Sequence, residues 1–248
     1  MKKLLILLTL FVANAVHADV IGFRVSGGAF DYEVSGTVRD DPDPANTIDV
    51  KSVLGVEDDT DSMGYIYFEH PVPLLPNFRF GVTNLKMTGT GNTGSGFTFN
   101  GEFFPGGLDV ATNLDLSHQE IALYYEILDN VVSIDLGLNV KLFDGDINLS
   151  ALGASTTETF DETVPMLYLG AAVSLPLTGL SIEGDISVIS YDDYDFTDYL
   201  VRLKYTTDFL LGIEVGYRSL VLDYEDTSAN EYADIEVDGP YAAVSLNF

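Results

Sequence analysis

The sequence predicts an all-β protein, an antiparallel transmembrane β-barrel of ten strands with short periplasmic turns and long extracellular loops. Three observations carry that expectation. Apolar and polar residues alternate with period two over stretches of about ten residues, the length a tilted strand needs to cross a bilayer. Connections alternate between short and long along the chain. The final segment, Tyr241-Ala-Ala-Val-Ser-Leu-Asn-Phe248, places Phe248, Leu246, Val244 and Ala242 on one face.

Residues 1–18 read as a cleaved secretory leader. Lys2 and Lys3 form a basic start, Leu4 to Val12 is apolar except for Thr9, and Val16 and Ala18 are small residues before a cut ahead of Asp19. The apolar run is too short for a membrane helix, which needs about 20 residues. Residues 19–248 then form one barrel domain, since no linker of distinct composition interrupts the pattern. A terminal Phe on an apolar strand face resembles the signal by which outer-membrane barrels are recognised for insertion. Phe248, Leu246 and Val244 are therefore the candidate insertion signal, and the barrel-assembly machinery is an expected partner.

The strands follow in order. Segments 20–34, 63–70 and 78–88 are the less regular ones, with a register change near Asn84 that predicts a bulge. Ile121, Leu123, Tyr125 and Ile127 oppose Glu120, Ala122, Tyr124 and Glu126. Val132 to Leu142 is the clearest: six apolar residues at even numbers against Ser133, Asp135, Gly137, Asn139 and Lys141. The same rhythm returns at 167–174, 180–188, 199–205 and 211–218, and with the terminal strand it makes ten. Eight is the alternative if the first third pairs differently. The short connections are Pro71 to Asn77, Asp129-Asn130, Pro176 to Gly179 and Thr206 to Phe209. The long ones are 36–62, 89–114, 150–162, 192–197 and 225–235.

Composition narrows the partners. The chain carries 39 acidic residues against 11 basic ones and has a formal charge of −28, which repels nucleic acid. It has no cysteine, which excludes disulfides and thiolate metal sites. It has no tryptophan, so Tyr and Phe must supply any aromatic girdle. Membrane lipid and lipopolysaccharide are the expected surroundings.

Phe68-Glu-His-Pro-Val-Pro-Leu-Leu-Pro-Asn77 and Tyr124-Tyr-Glu-Ile-Leu-Asp-Asn130 resemble a family of small uncharacterised outer-membrane β-barrel proteins found in γ-proteobacteria. Val164-Pro-Met-Leu-Tyr168, Leu177-Thr-Gly-Leu180, Gly216-Tyr-Arg-Ser219 and Asp238-Gly-Pro-Tyr241 extend the likeness over nearly the whole domain. The resemblance implies an outer-membrane barrel and brings no activity, cofactor or catalytic residue. It also implies a short helical piece at Asp49 to Val56, which Gly55 would help to end.

Alternation turns Arg24, Arg79, Lys141, Arg202, Lys204 and Arg218 inward, six of the 11 basic residues. Glu69, Glu120, Glu126, Asp135, Glu183, Asp185 and Glu214 share that face. Lipid cannot host such groups cheaply, so they belong in the lumen. There they form a filling ion-pair network or line a thin water path. Inward Gly137, Gly170, Gly212 and Gly216 leave room for water in the second case. The segment Gly89 to Gly107 folds in as a constriction or stands outward as a contact surface.

The remaining acids cluster in the long loops at Asp40, Asp41, Asp43, Glu57, Asp58, Asp59, Asp61, Asp192, Asp193, Asp195, Glu225, Asp226, Glu231 and Asp234. They lack the spacing of a calcium loop. They read as solvated surfaces, with loosely bound divalent cations shared with lipopolysaccharide phosphates. No resident metal or cofactor is expected. An acyl-transfer enzyme would need a nucleophile beside a histidine base. Of the two histidines beyond the leader, His70 shapes a periplasmic turn and His118 sits near the outer rim, so no enzyme is expected. Two functions stay open: a narrow passive channel for ions or small solutes, or a structural and surface-interaction barrel with a plugged lumen.

Overall fold

The computed structural model describes residues 21–72, 74–228 and 230–248, and the expected leader lies outside the described residues. In chain order the strands are β1 (Gly22–Arg39), β2 (Ile48–Asp49), β3 (Asp59–Glu69), β4 (Asn77–Thr83), β5 (Lys86–Asn92), β6 (Gly96–Phe99), β7 (Glu102–Pro105) and β8 (Asp109–Asp115). They continue as β9 (His118–Asp129), β10 (Val132–Ala151), β11 (Ala154–Leu175), β12 (Leu180–Tyr191), β13 (Tyr194–Thr206), β14 (Leu211–Asp226) and β15 (Glu231–Asn247). Ten of them close a ring of antiparallel neighbours: β1, β3, β4, β9, β10, β11, β12, β13, β14, β15 and back to β1. Ten strands, rather than eight, form the barrel. At the β1–β15 seam the Phe248 N–H donates to the Phe23 carbonyl at 2.8 Å, and the Phe23 N–H donates back at 3.1 Å.

The bulge expected near Asn84 is a break. β4 ends at Thr83 and β5 resumes at Lys86, while Ser117 interrupts the facing β8–β9 pair. The Leu85 N–H donates to Ser117 Oγ at 3.0 Å, which satisfies the backbone where the ladder is lost.

Four of the five expected long loops are largely strand. β10 has 20 residues and β11 has 22, joined across 152–153. At ~3.3 Å per residue they reach about 65–70 Å, well beyond a bilayer even when tilted. β12 and β13 turn at 192–193, and β14 runs to Asp226 before β15 starts at Glu231. Within 89–114, β5 runs on to Asn92, the β6–β7 hairpin intervenes and β8 returns. Only 40–58 stays mostly irregular. There, too, the expected helix at 49–56 is absent. Asp49 instead caps a tight turn, its Oδ1 accepting from the Lys51 and Ser52 N–H groups at 3.1 and 2.6 Å, and Gly55 closes it at φ +66°. Among the described residues the one helical piece is a 3₁₀ turn at Pro44–Asn46.

Half-way along the strands the alternation keeps its period and exchanges its polarity. On β10 the outward Ile134, Leu136, Leu138 and Leu142 give way to Asp144 and Asp146, while the inward Asn139 and Lys141 give way to Phe143, Ile147 and Leu149. On β1 the outward Phe23 and Val25 give way to Asp31 and Glu33, above inward Ser26 and then Phe30, Tyr32 and Val34. The half nearer the short turns thus has an apolar exterior and a polar interior, as lipid requires. The half nearer the hairpins has a polar exterior and a packed apolar interior, as water requires. Phe23, Phe68, Tyr125, Tyr205 and Phe248 are exposed around the short-turn rim as an aromatic girdle, with Val244 and Leu246 on the same outer face.

The boundary makes a measurable difference between positions. Leu138 lies mid-belt and is 60% exposed. Leu138→Arg is expected to cost about 2–4 kcal/mol in urea unfolding from lipid vesicles. Thr159→Arg, on the outer face above the belt, is expected to stay within about 0.5 kcal/mol of the parent.

Candidate functional site: a charged plug beneath an apolar cup

The lower lumen holds a continuous chain of ion pairs. Glu183 on β12 is its first hub. It accepts from Arg24 at 2.9 Å, from Arg202 at 2.7 Å and from Lys204, while Ser181 Oγ donates to its second oxygen at 2.9 Å. Arg202 also meets Asp185 at 3.0 Å, and Asp185 lies 3.5 Å from Arg79. Arg79 in turn binds Glu120 at 2.8 Å. Glu120 pairs with Lys141, whose Nζ lies 2.6 Å from Asp198. Arg218 closes the chain: Nε and Nη2 donate to the two Asp198 oxygens at 3.0 and 2.8 Å, and Nη1 donates to Thr83 Oγ1 at 2.7 Å.

These groups come from seven of the ten barrel strands, so the network ties the wall together across the lumen. Lys141 and Arg218 are fully buried, and Arg79, Glu120, Glu183, Asp198 and Arg202 are nearly so. Buried charges persist only when paired, and each of these side chains has an opposite charge beside it. Tyrosines fill the space between them. The Arg24 guanidinium lies 3.8 Å from the Tyr67 ring centre and that of Arg79 lies 4.6 Å from Tyr168. Tyr168 donates to Asp185 at 2.6 Å. The inward glycines accommodate this filling. A Cβ on Gly137 would first meet the Leu123 carbonyl of the neighbouring strand at 2.1 Å, and one on Gly216 would meet the Val201 carbonyl at 2.3 Å and the Tyr241 ring at 2.5 Å. The room those glycines leave is taken by protein.

The other inward acids lie apart from this chain. Glu214 is buried opposite Lys204 in register, and Glu69 accepts from Tyr124 at 3.1 Å. Asp135 is half-buried beside Gly170, and Glu126 is exposed toward the short-turn rim. His70 does shape a short turn: its N–H donates to Asn77 Oδ1 at 3.0 Å, and Nδ1 accepts from Val72 at 3.3 Å.

His118 is buried in the lumen rather than near the rim. Its Nδ1 is 3.1 Å from the Leu116 carbonyl, which can only accept, so the proton sits on Nδ1. Nε2 then presents its lone pair to Lys141 at 3.4 Å and Arg218 at 3.3 Å. Among the described residues His118, Glu120 and Asp198 are the one group of three whose ligand atoms fall within 4.8 Å of one another. Lys141 reaches all three, so the chain's own ammonium stands where a metal ion would sit. Asp198 is the functional side chain that sequence reading missed. Its signal is the inward series Asp198, Leu200, Arg202.

Above the plug the interior changes character. The His118 ring packs on Phe143 at 4.7 Å between centres, and Phe143 on Phe196 at 6.0 Å. These two phenylalanines, with Leu220, floor a cavity of about 620 Å³. Its walls are Leu54, Leu85 and Leu114 on one side and Ile147, Val164, Ile189, Leu222, Ile235 and Val237 on the other. Tyr191, Tyr194, Tyr224 and Tyr232 add rims of ring and hydroxyl, and Arg39, Asp40, Glu158, Glu162 and Glu231 supply the charges of the lining. The β6–β7 hairpin folds inward over one side. Phe97 and Phe104 stack at 5.0 Å, Phe99 joins the lining, and the Asn100 N–H donates to Asp40.

A ring of ten antiparallel strands with an apolar outer belt has known counterparts. The solved structure of the outer-membrane protease OmpT from Escherichia coli matches with TM-score 0.55 at 8% identity, over 93% of this chain and 99% of that one. The fold is that of the outer-membrane β-barrels. Ail, the attachment invasion locus protein of Yersinia pestis, matches with TM-score 0.37 at 9% identity over 93% of this chain and 100% of that one. The toluene transporter TodX of P. putida matches with TM-score 0.31 at 12% identity over 91% and 89%. No family model and no curated protein matches the chain. At these identities the likeness concerns fold alone. Within this barrel the interior is divided into a charged half and an apolar half.

Proposed function

We propose that the protein sits in the outer membrane of a Gram-negative bacterium as a closed barrel. In this reading its extracellular half is a blind cup for a small apolar ligand. The observation that carries it is the position of the 620 Å³ cavity directly above the ion-pair chain. That volume is ordinary for a small-molecule site, and the lining is mostly aliphatic and aromatic with a few polar groups, as such sites require. A passive channel needs a continuous polar path. Here the path meets Phe143 and Phe196 above and fully buried Arg218 and Lys141 below.

The reading is of a binding protein rather than an enzyme. General-base chemistry needs a histidine lone pair aimed at a nucleophile's proton. The Nε2 lone pair of His118 is held instead by Lys141 and Arg218, beneath the cup floor. The belt of apolar side chains supports lipid as the surroundings of the short-turn half, and the acidic exterior of the hairpin half supports contact with water and the lipopolysaccharide head region.

Two measurements on one preparation test this. Refolded protein that shows heat-modifiable gel migration is expected to leave a planar bilayer silent. In lipid nanodiscs, 1-octanol is expected to shift the methyl signals of Ile147 and Ile189 in the cavity at saturable concentrations. Discrete conductance steps from the parent protein would return the passive channel as the better reading.

A further inference from the structure

The cup is apolar, yet its mouth is not neutral. Asp40, Glu158, Glu162 and Glu231 line it together with one cation, Arg39. The Arg39 guanidinium is taken up by an aromatic ring, 3.7 Å from the centre of Tyr232, its register partner on β15. Strand alternation turns Glu158 and Glu162 on β11 to the same side as Phe160 and Val164, which line the cavity. Asp40 Oδ1 is buried and has no hydrogen-bond partner, although its other oxygen accepts from Asn100. Such a group costs free energy until something donates to it.

We infer that the mouth selects an amphipathic organic cation, with its apolar body in the cavity and an ammonium head among Asp40, Glu158, Glu162 and Glu231. This rests on the reading of the cup as a binding site and names the class of ligand it takes. Three features separate that class from its rivals. A bare metal ion needs converging carboxylate oxygens, and these four do not converge: among the described residues the only tight group of ligand atoms is His118, Glu120 and Asp198. An anionic amphiphile meets four carboxylates and one occupied arginine. A neutral hydrocarbon fits the walls but leaves the carboxylates as they are.

Among the described residues no cation forms an ion pair with these four carboxylates. Glu158 and Glu162 lie where the outer face of β11 reads Ser155, Thr157, Thr159, Asp161 and Thr163, above the apolar belt. Burial, followed by the neighbouring charges of Asp40 and Glu231, holds Glu158 above the usual carboxylate range, and burial raises Asp40 as well. An ammonium head relieves that repulsion in a half-buried site, where a charge pair counts for more than in open water.

The test uses three probes with one hydrocarbon body, octylammonium, 1-octanol and octanoate, titrated into isotope-labelled protein in lipid nanodiscs. The readouts are the methyl signals of Ile147 and Ile189 in the cavity, with Ile213 on the lipid face reporting partition into the bilayer. Octylammonium is expected to bind about tenfold more tightly than octanol, and octanoate more weakly than both. In the Glu158→Gln/Glu162→Gln variant the advantage of octylammonium over octanol is expected to shrink to about twofold. Octanol binding as tightly as octylammonium, or a preference untouched by the double substitution, overturns the inference while leaving the cup standing. If no probe moves Ile147 or Ile189, the cup reading itself falls, and this inference with it.

Discussion

Glu183→Leu is expected to destabilise the barrel by at least about 3–5 kcal/mol, the range for breaking a buried ion pair from one side. The reason is the number of cations that Glu183 alone gathers. Arg24, Arg202 and Lys204 all converge on its carboxylate. Of the three, only Arg202 has another short ion pair, to Asp185 at 3.0 Å. Removing the carboxylate leaves Arg24 and Lys204 half-buried and facing each other with no ion pair of their own among the described residues, and with Glu214 as their remaining nearby counter-charge. Glu183→Gln keeps the volume and one acceptor oxygen, so a smaller loss is expected from it. Arg24→Leu removes one cation of three and should cost less than either. The order Leu, Gln, then Arg24→Leu is checked by urea unfolding from vesicles, with heat-modifiable migration confirming the starting fold. A loss under about 1 kcal/mol for Glu183→Leu would mean that the lumen is wet enough to solvate those cations.

Faces were readable from sequence wherever one solvent pair held throughout a strand. Val132 to Leu142 faces lipid on one side and lumen on the other, and its alternation fixes both sides of β10 at once. Above Leu142 the outside is water and the inside is a packed core. The apolar set therefore moves to the inward positions Phe143, Ile147 and Leu149, and Asp144 and Asp146 point out. A reader who equates apolar with outward loses the strand at that point and sees a loop. The same exchange hides the upper parts of β1, β11, β14 and β15. Asp198 was lost for this reason. It stands just inside the exchange on β13, between inward Phe196 and inward Arg202, where the expected boundary of a loop fell.

Alternation along single strands suffices to sort most of the inward charges, with Asp198 missed and Glu126 exposed at the short-turn rim. Which of them touch was not legible. Arg24 and Glu183 are 159 residues apart, and Arg218 and Thr83 are 135 apart. Such pairs depend on strand stagger around the closed ring, and alternation along one strand carries no record of stagger. The cavity was illegible for a related reason. Its lining comes from seven of the ten barrel strands, from β6 and β8, and from the connections at 40–58, 84–85 and 116–117, and no stretch of sequence holds more than a few of its residues.

The second large effect is expected at Arg218, and its pattern separates charge from shape. The guanidinium spans Asp198, Thr83 and the His118 lone pair, using Nε, Nη1 and Nη2 together. Arg218→Leu is expected to cost about 3–5 kcal/mol, because Asp198 keeps only Lys141, which it must share with Glu120. Arg218→Lys keeps the charge but cannot form the fork, so a loss of about 1–2 kcal/mol is expected. Asp198→Asn in the Arg218→Leu background removes the stranded anion, and part of the lost stability should return. That recovery is the deciding observation in a double-mutant cycle. Strict additivity of the two substitutions would show that Asp198 and Arg218 are solvated separately, with water standing in the lumen between them. Recovery would show that the plug is held by mutual neutralisation, which is the condition for a dry floor beneath Phe143 and Phe196.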